Sequence, residues 1–238
     1  MAKAVVLCGG MGTRLRPYTY SIPKPMLPLG KKPILEFVIG NLKANGFKDL
    51  ALTVGYRKEQ IMDYFGNGSR FGVKIKYFPE DADKPLNTAG SILPAKKELS
   101  GGTFLVVMGD HLTSVELRAL FAYHRRTPGI ATLALKRTGV PLEYGVAHLD
   151  GKGRIARFDE KPIVENLVNA GMYAFEPEVF DYISEYDDFA KNVFPKMLAG
   201  NEVLDAYVFD DYWLDIGRTA DYEQLNETIS TIELVTRK

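Results

Sequence analysis

Apolar runs and amphipathic stretches alternate along the first half of the chain. Residues 4–8 form a short apolar run closed by Gly9 and Gly10, the pattern of a strand buried on both faces of a parallel sheet. Residues 11–32 carry Pro17, Pro23, Pro25 and Pro28, which bars a long helix, while Met26, Leu27 and Leu29 among them predict an ordered loop. After Pro33, the apolar positions Ile34, Leu35, Val38, Ile39 and Leu42 recur at helical spacing until Asn45-Gly46. A strand over 50–54, a helix marked by Ile61, Met62, Tyr64 and Phe65 and ending near Gly66, and a period-two strand over 73–78 follow. A solid apolar strand over 103–108 then ends at Gly109-Asp110. This βαβα rhythm predicts the α/β class, a Rossmann-like three-layer sandwich with a mostly parallel central sheet and helices on both faces.

Beyond residue 128 the pattern turns to short strands, over 131–135, 145–149, 155–158 and 168–175, with helices over 177–184 and 189–198. A last helix is expected from 220 to about 235. Its stripe of Tyr222, Leu225, Ile229 and Ile232 either packs on the chain's own core or pairs with another subunit, so a homo-oligomer stays open. With no repeat and no linker, residues 1–238 read as one domain, a first half to about 128 and a second from about 129.

Composition narrows the class. Hydrophobic residues at 46% and charged residues at 25% are globular values. Thirty basic against thirty acidic side chains argue against a nucleic-acid binder. The single cysteine, Cys8, allows no internal disulfide and reads as a small buried hydrophobe. The N-terminal apolar run is too short for a signal-peptide core or a membrane span, so the cytoplasm is the expected compartment and no membrane partner is expected. His111, His124 and His148 show no zinc-like spacing and read as surface or packing residues.

Candidate chemistry begins with Gly9-Gly10-Met11-Gly12-Thr13-Arg14-Leu15-Arg16-Pro17, which follows the first strand, where ligands of open α/β sheets collect. Glycines let backbone N–H groups close on an anion, and an arginine offers a planar fork to phosphate oxygens. The segment lacks the Gly-Lys-Ser/Thr of a Walker A loop and the third glycine of a dinucleotide fingerprint. By itself it reads equally well as a structural turn. Asp110 and Asp215 each lie beside a glycine-containing strand end, where magnesium could find carboxylates in addition to phosphate and water oxygens.

The full string, with Thr19 and Pro23-Lys24-Pro25-Met26, resembles the signature of the sugar-phosphate nucleotidylyltransferases. The resemblance runs on through Thr53-Val54-Gly55-Tyr56, Asn87-Thr88-Ala89-Gly90, Gly109-Asp110, Glu160-Lys161-Pro162, Asn169-Ala170-Gly171-Met172-Tyr173 and Trp213-Leu214-Asp215-Ile216-Gly217. It implies a GT-A-like nucleotidyltransferase fold with a nucleotide-binding first half and a small sugar-binding lobe in the second. It also implies attack of a sugar 1-phosphate on the α-phosphate of a nucleoside triphosphate, with those two small molecules as partners and Mg2+ as cofactor. Carried over residue by residue, Arg14, Lys24 and Asp110 would be catalytic. Leu7, Gly9, Gly10, Gly12, Thr13, Arg14, Asn87, Thr88 and Gly90 would bind the nucleotide. Gly145, Glu160, Lys161, Asn169 and Gly171 would bind the sugar phosphate, and Asp110 with Asp215 would hold the metal.

Within the family, residues 49–89 and 168–175 look most like mannose-1-phosphate guanylyltransferases, with the glucose-1-phosphate thymidylyl- and uridylyltransferases next. Two departures stand out: Asn87 replaces a common glycine, and His111 replaces the asparagine of thymidylyl-type members. A silent nucleotide-sugar-binding regulatory subunit is the competing reading, against which Arg14, Lys24, Asp110, Lys161 and Asp215 stand together. A glycosyltransferase would usually show Asp-x-Asp where Asp110-His111-Leu112 stands. The last expected helix lies near the end of the sequence, so the left-handed β-helix tail of some relatives, with its acyltransfer chemistry, is not expected.

Overall fold

The computed structural model describes residues 3–235, and side chains to residue 229. In chain order the elements are β1 (Lys3–Cys8), the small hairpin β2 (Pro28–Leu29) and β3 (Lys32–Pro33), α1 (Ile34–Ala44), β4 (Asp49–Val54), α2 (Lys58–Phe65) and β5 (Lys74–Pro79). Next come α3 (Asn87–Gly90), α4 (Lys96–Leu99), β6 (Phe104–Met108), β7 (His111–Thr113) and α5 (Leu117–His124). The second half holds β8 (Ala131–Pro141), β9 (Val146–Leu149), β10 (Ile155–Asp159), β11 (Ile163–Phe175), α6 (Phe194–Ala199), β12 (Leu204–Phe209), β13 (Trp213–Asp215) and α7 (Thr219–Val235).

Seven strands form the central sheet in the order β12-β8-β11-β6-β1-β4-β5. It is mostly parallel: β11 runs antiparallel to both neighbours, and the other pairs are parallel. The chain moves outward from β1 to β4 and β5, then returns to β6 on the other side of β1. The carboxyl ends of β1 and β6 therefore flank a topological switch point, where open α/β sheets bind ligands. Alternate residues of β1 enter different cores, as expected for a strand covered on both sides. Ala4, Val6 and Cys8 pack with Leu35, Ile39, Ile61 and Leu120 of α1, α2 and α5. Val5 joins Phe104, Val106, Ala89, Leu99, Phe189 and Phe194 on the opposite face.

The second core is aromatic. Phe104 is fully buried, with its ring centroid 6.0 Å from that of Phe175 and 5.7 Å from that of Phe180. Phe104→Ala is expected to lower the unfolding free energy by about 3–5 kcal/mol. Urea unfolding followed by circular dichroism checks this, and a loss under about 1 kcal/mol would mean that the cluster collapses around the gap.

The second half departs from its expected strands in three ways. β8 and β11 are longer than anticipated, because beyond the sheet their outer halves pair with each other, from Lys136↔Val168 to Pro141↔Ile163. The β9–β10 hairpin completes this lobe. β12 forms an unforeseen edge strand, and the three-residue β7 and β13 pair apart from the sheet. The segment Pro177–Tyr182 is a 3-10 helix, and α6 is preceded by a five-residue π turn over Phe189–Val193, capped by the Asp188 side chain.

A third apolar cluster gathers Leu15, Leu27, Leu29, Ile34 and Ile216 around Tyr222 of α7, with Leu225 and Ile229 partly buried against it. The stripe on the last helix thus packs on the chain's own core, and Ile232 lies outside the residues whose side chains are described. Among the described residues no helix is long and apolar enough to cross a membrane.

Candidate active site

The loop after β1 is ordered by its own hydrogen bonds. Gly12 has φ +61, and a Cβ there would lie 3.0 Å from Thr19 Cγ2 and 3.1 Å from Lys24 Cβ. Only glycine combines that backbone with so close an approach. The buried Thr19 hydroxyl donates to Gly12 O at 2.8 Å, and the Tyr56 N–H donates to Gly9 O at 3.2 Å. Tyr56 Oη also donates to Thr19 O at 2.9 Å, tying the loop to the chain beyond β4. A cleft of about 260 Å³ opens over this loop, lined by Leu7, Gly10, Gly12, Thr13, Arg14, Lys24, Asp110 and Gly217. Arg14 thus faces the same space as Lys24 and Asp110.

Asp110 follows β6, and Asp215 ends β13. The β7–β13 register sets Asp215 opposite His111, next to Asp110, so two three-residue strands bring distant parts of the chain together. The buried Lys24 ammonium lies 2.5 Å from Asp110 Oδ2 and 3.3 Å from Asp215 Oδ1. His111 Nε2 lies 3.4 Å from Asp215 Oδ1 and 3.7 Å from Asp110 Oδ1. Burial pulls the His111 pKa down, but the hydrogen bond to Asp215 and the two carboxylate charges outweigh it, and the net shift is upward. Asp215 is held well below the usual carboxylate range, first by the His111 hydrogen bond and then by the Lys24 charge, with burial opposing both. His111 is packed against Trp213 and the Ala170 carbonyl, and its Nε2 also faces two carboxylates, a neighbourhood that its spacing in the sequence does not signal.

These groups suit a divalent cation. Asp110, His111 and Asp215 each offer a ligand atom, all within 4.8 Å of one another, and the two carboxylates already share one positive charge, that of Lys24.

A second cavity of about 340 Å³ adjoins the first across Leu7, Gly10 and Asp110, and is lined further by Gly9, Glu80, Asn87, Thr88, Ser91 and Asp188. Asn87 has φ +59, a conformation that asparagine tolerates better than most non-glycine residues, and its side chain donates to Tyr186 O at 2.7 Å. The departure from glycine at this position therefore keeps the backbone shape. Thr88 Oγ1 donates to Asp188 Oδ2 at 2.9 Å, and the buried Gly90 packs against the Tyr186 backbone. Glu80 was not among the sequence candidates. It is buried, and Oε2 accepts the Leu86 N–H at 3.1 Å, while Oε1 has no hydrogen-bond donor among the described residues. Burial raises its pKa, with the Leu86 N–H opposing. Its position directly after Pro79, at a strand end on the ligand side of the sheet, was the available signal.

The lobe candidates form two groups. Asn169 and Gly171 lie at the irregularity in β11, where Asn169 Oδ1 accepts the Gly171 N–H and Asn169 Nδ2 donates to Tyr173 Oη. Gly171, at φ +68, abuts the His111 ring. Gly145 and Glu160 meet on the lobe, where a Cβ on Gly145 would come 2.8 Å from Glu160 Oε2. Lys161 has φ +46, a strained conformation of the kind that gathers at functional sites. No hydrogen bond or ion pair among the described residues links Gly145, Glu160 or Lys161 to the Asp110 centre.

A family model described as nucleotidyl transferase matches residues 3–232. The UTP–glucose-1-phosphate uridylyltransferase of Synechocystis sp. is 40% identical over 242 residues, covering 93% of this chain and 62% of that protein. The mannose-1-phosphate guanylyltransferase of Mycobacterium tuberculosis is 37% identical over 225 residues, covering 92% and 62%. The crystal structure of HddC from Yersinia pseudotuberculosis superposes with a TM-score of 0.75 at 26% identity, covering 96% of this chain and 99% of that one. The chain spans about 62% of the length of the curated relatives it matches. With a glycine loop at the switch point, paired aspartates beyond it and a family match over nearly the whole sequence, this chain belongs to the nucleotidyl transferase family.

Proposed function

We propose that the chain is a sugar-1-phosphate nucleotidylyltransferase that joins GTP to mannose 1-phosphate. The reading rests above all on Asp110 and Asp215 meeting around Lys24 at the edge of the glycine loop, in the cleft that Arg14 faces. A phosphate oxygen of the sugar 1-phosphate attacks the α-phosphorus of the nucleotide, and the bond from that phosphorus to the β-phosphate oxygen breaks, releasing pyrophosphate. No covalent enzyme intermediate is needed, so catalysis reduces to placement and charge neutralisation. Backbone N–H groups of the loop and the Arg14 guanidinium hold the triphosphate. Lys24 lies where the incoming phosphate meets it and offsets the repulsion between the two anions. Gly145, Glu160, Lys161, Asn169 and Gly171 hold the sugar phosphate. Asp110 and Asp215 would hold Mg2+ or a similar cation, which when bound neutralises phosphate charge.

Glu80 favours guanine. Guanine presents adjacent N1–H and N2–H donors, which a carboxylate accepts, whereas uracil and thymine present one N–H flanked by two carbonyls, which a carboxylate repels. A panel of nucleoside triphosphates against sugar 1-phosphates, read by pyrophosphate release, tests the assignment, with GTP and mannose 1-phosphate expected to lead. No release from any pair would favour a silent binding subunit. The Synechocystis relative, at 40% identity, favours UTP with glucose 1-phosphate as a second reading, which the same panel separates. Glu80→Gln is expected to lower kcat/KM for GTP by about 10- to 100-fold and to raise the relative use of UTP. An unchanged ranking of the triphosphates would remove Glu80 from base selection.

A further inference from the structure

We propose that His111 is a third protein ligand of the cation, and that the centre takes a d-block divalent ion such as Mn2+ in preference to Mg2+. The inference rests on the reading of Asp110 and Asp215 as cation ligands and goes beyond it.

The orientation of the imidazole carries the argument. Nδ1 lies 3.1 Å from Ala170 O, and a carbonyl oxygen only accepts, so Nδ1 carries the hydrogen and the lone pair of a neutral ring belongs to Nε2. Nε2 is the atom that faces the two aspartates, 3.4 Å from one and 3.7 Å from the other. A ring nitrogen hydrogen-bonded to a backbone carbonyl, with the second nitrogen turned to the ion, is the usual arrangement of a metal-ligating histidine, and a bound cation would take the place of the hydrogen that Nε2 shares with Asp215.

The surroundings fix that orientation from several sides. Ala170 O also accepts the Trp213 Nε1–H at 3.0 Å, and the Trp213 ring meets the imidazole edge to face, with centroids 5.5 Å apart at 88°. The β7–β13 register places His111 directly opposite Asp215. At Gly171 a Cβ would lie 2.9 Å from His111 Cε1, so the lack of a side chain there makes room for the ring.

The donor set then selects the ion. Mg2+ is hard, prefers an all-oxygen octahedron and usually keeps its waters. One imidazole with two carboxylates adds a nitrogen donor that first-row transition ions accept more readily, with affinity rising from Mn2+ through Co2+.

The test is the full chain titrated with Mn2+ alone and measured by pulsed electron paramagnetic resonance. The expected result is a 14N coupling from the His111 ring on bound Mn2+. His111→Asn, which keeps a donor near Ala170 O, is expected to lose that coupling and to weaken Mn2+ binding by about tenfold or more. Mg2+ affinity, read by competition, is expected to change by no more than about twofold. Mn2+ bound without 14N coupling in the unaltered protein would overturn the histidine ligand and leave the carboxylate reading standing. No Mn2+ binding at all would overturn both. Because the coupling is read on the unaltered protein, a variant that fails to fold does not blunt the test.

Discussion

Asp110→Asn is expected to lower kcat by a factor of about 10³ or more while the protein stays folded. The carboxylate contacts Lys24 directly, neighbours Asp215 and His111, and lines both cavities of the cleft. Asparagine keeps its size and one oxygen but removes the charge that attracts a cation to this place. Stability should move little, by about 1 kcal/mol, because Lys24 keeps Asp215 as a partner and the cleft is open to water. Single-turnover measurement of pyrophosphate release, beside a thermal melt, separates the two effects. A near-normal rate in the presence of divalent cation would remove Asp110 from the chemistry, whereas a collapsed melt would make it a structural residue.

Lys24→Met is expected to have the next largest effect, a fall of about 10²–10³ in kcat. Methionine preserves the apolar stem and removes the ammonium that approaches both carboxylates. Two anions then face each other without the ammonium, with His111 still beside them, so the folded protein should lose thermal stability at neutral pH and regain it when a divalent cation is added. Acidification gives the sign independently. Asp215 titrates below its unfolded value, so in the unaltered protein its contribution is present above the ordinary aspartate range and fades as pH falls through the depressed folded value. Without Lys24 that depression shrinks, and the acid-induced loss of stability should be smaller. A melt series from about pH 7 down to about pH 1.5 on both proteins reads the difference, which opens below the ordinary aspartate range. Parallel curves would show that the Lys24 charge does little for the pair.

The sheet and the loop were legible because their signals are local. Val5 and Val6 enter opposite cores, so β1 had to be apolar at consecutive positions, and the same holds for Val106 and Val107 in β6. Gly12 had to be glycine for a conformation that few other residues adopt, and the string around it carries that requirement in plain view. The placement of His111 beside Asp215 was not legible. It depends on β7 and β13, two three-residue strands too short to show a period, whose register alone brings Asp215 alongside. Glu80 was hidden for a different reason. It opens the charged stretch Glu80-Asp81-Ala82-Asp83-Lys84, which reads as solvated surface, and its burial comes from Gly9 and Gly55, far away in sequence. β12 carries a weak strand signal because it is an edge strand whose alternation includes Asp205 and Tyr207, both partly exposed.

The contacts of α7 make the last helix a foundation for the reactive loop. Tyr222 Oη donates to Pro28 O at 2.8 Å, and the Gly30 N–H donates to Asn226 Oδ1 at 3.0 Å, within a few residues of Lys24. Leu27 and Leu29, which follow Lys24 closely, pack in the same cluster as Tyr222. Residues near position 222 therefore share in setting the shape of a segment that stands about two hundred positions earlier in the sequence.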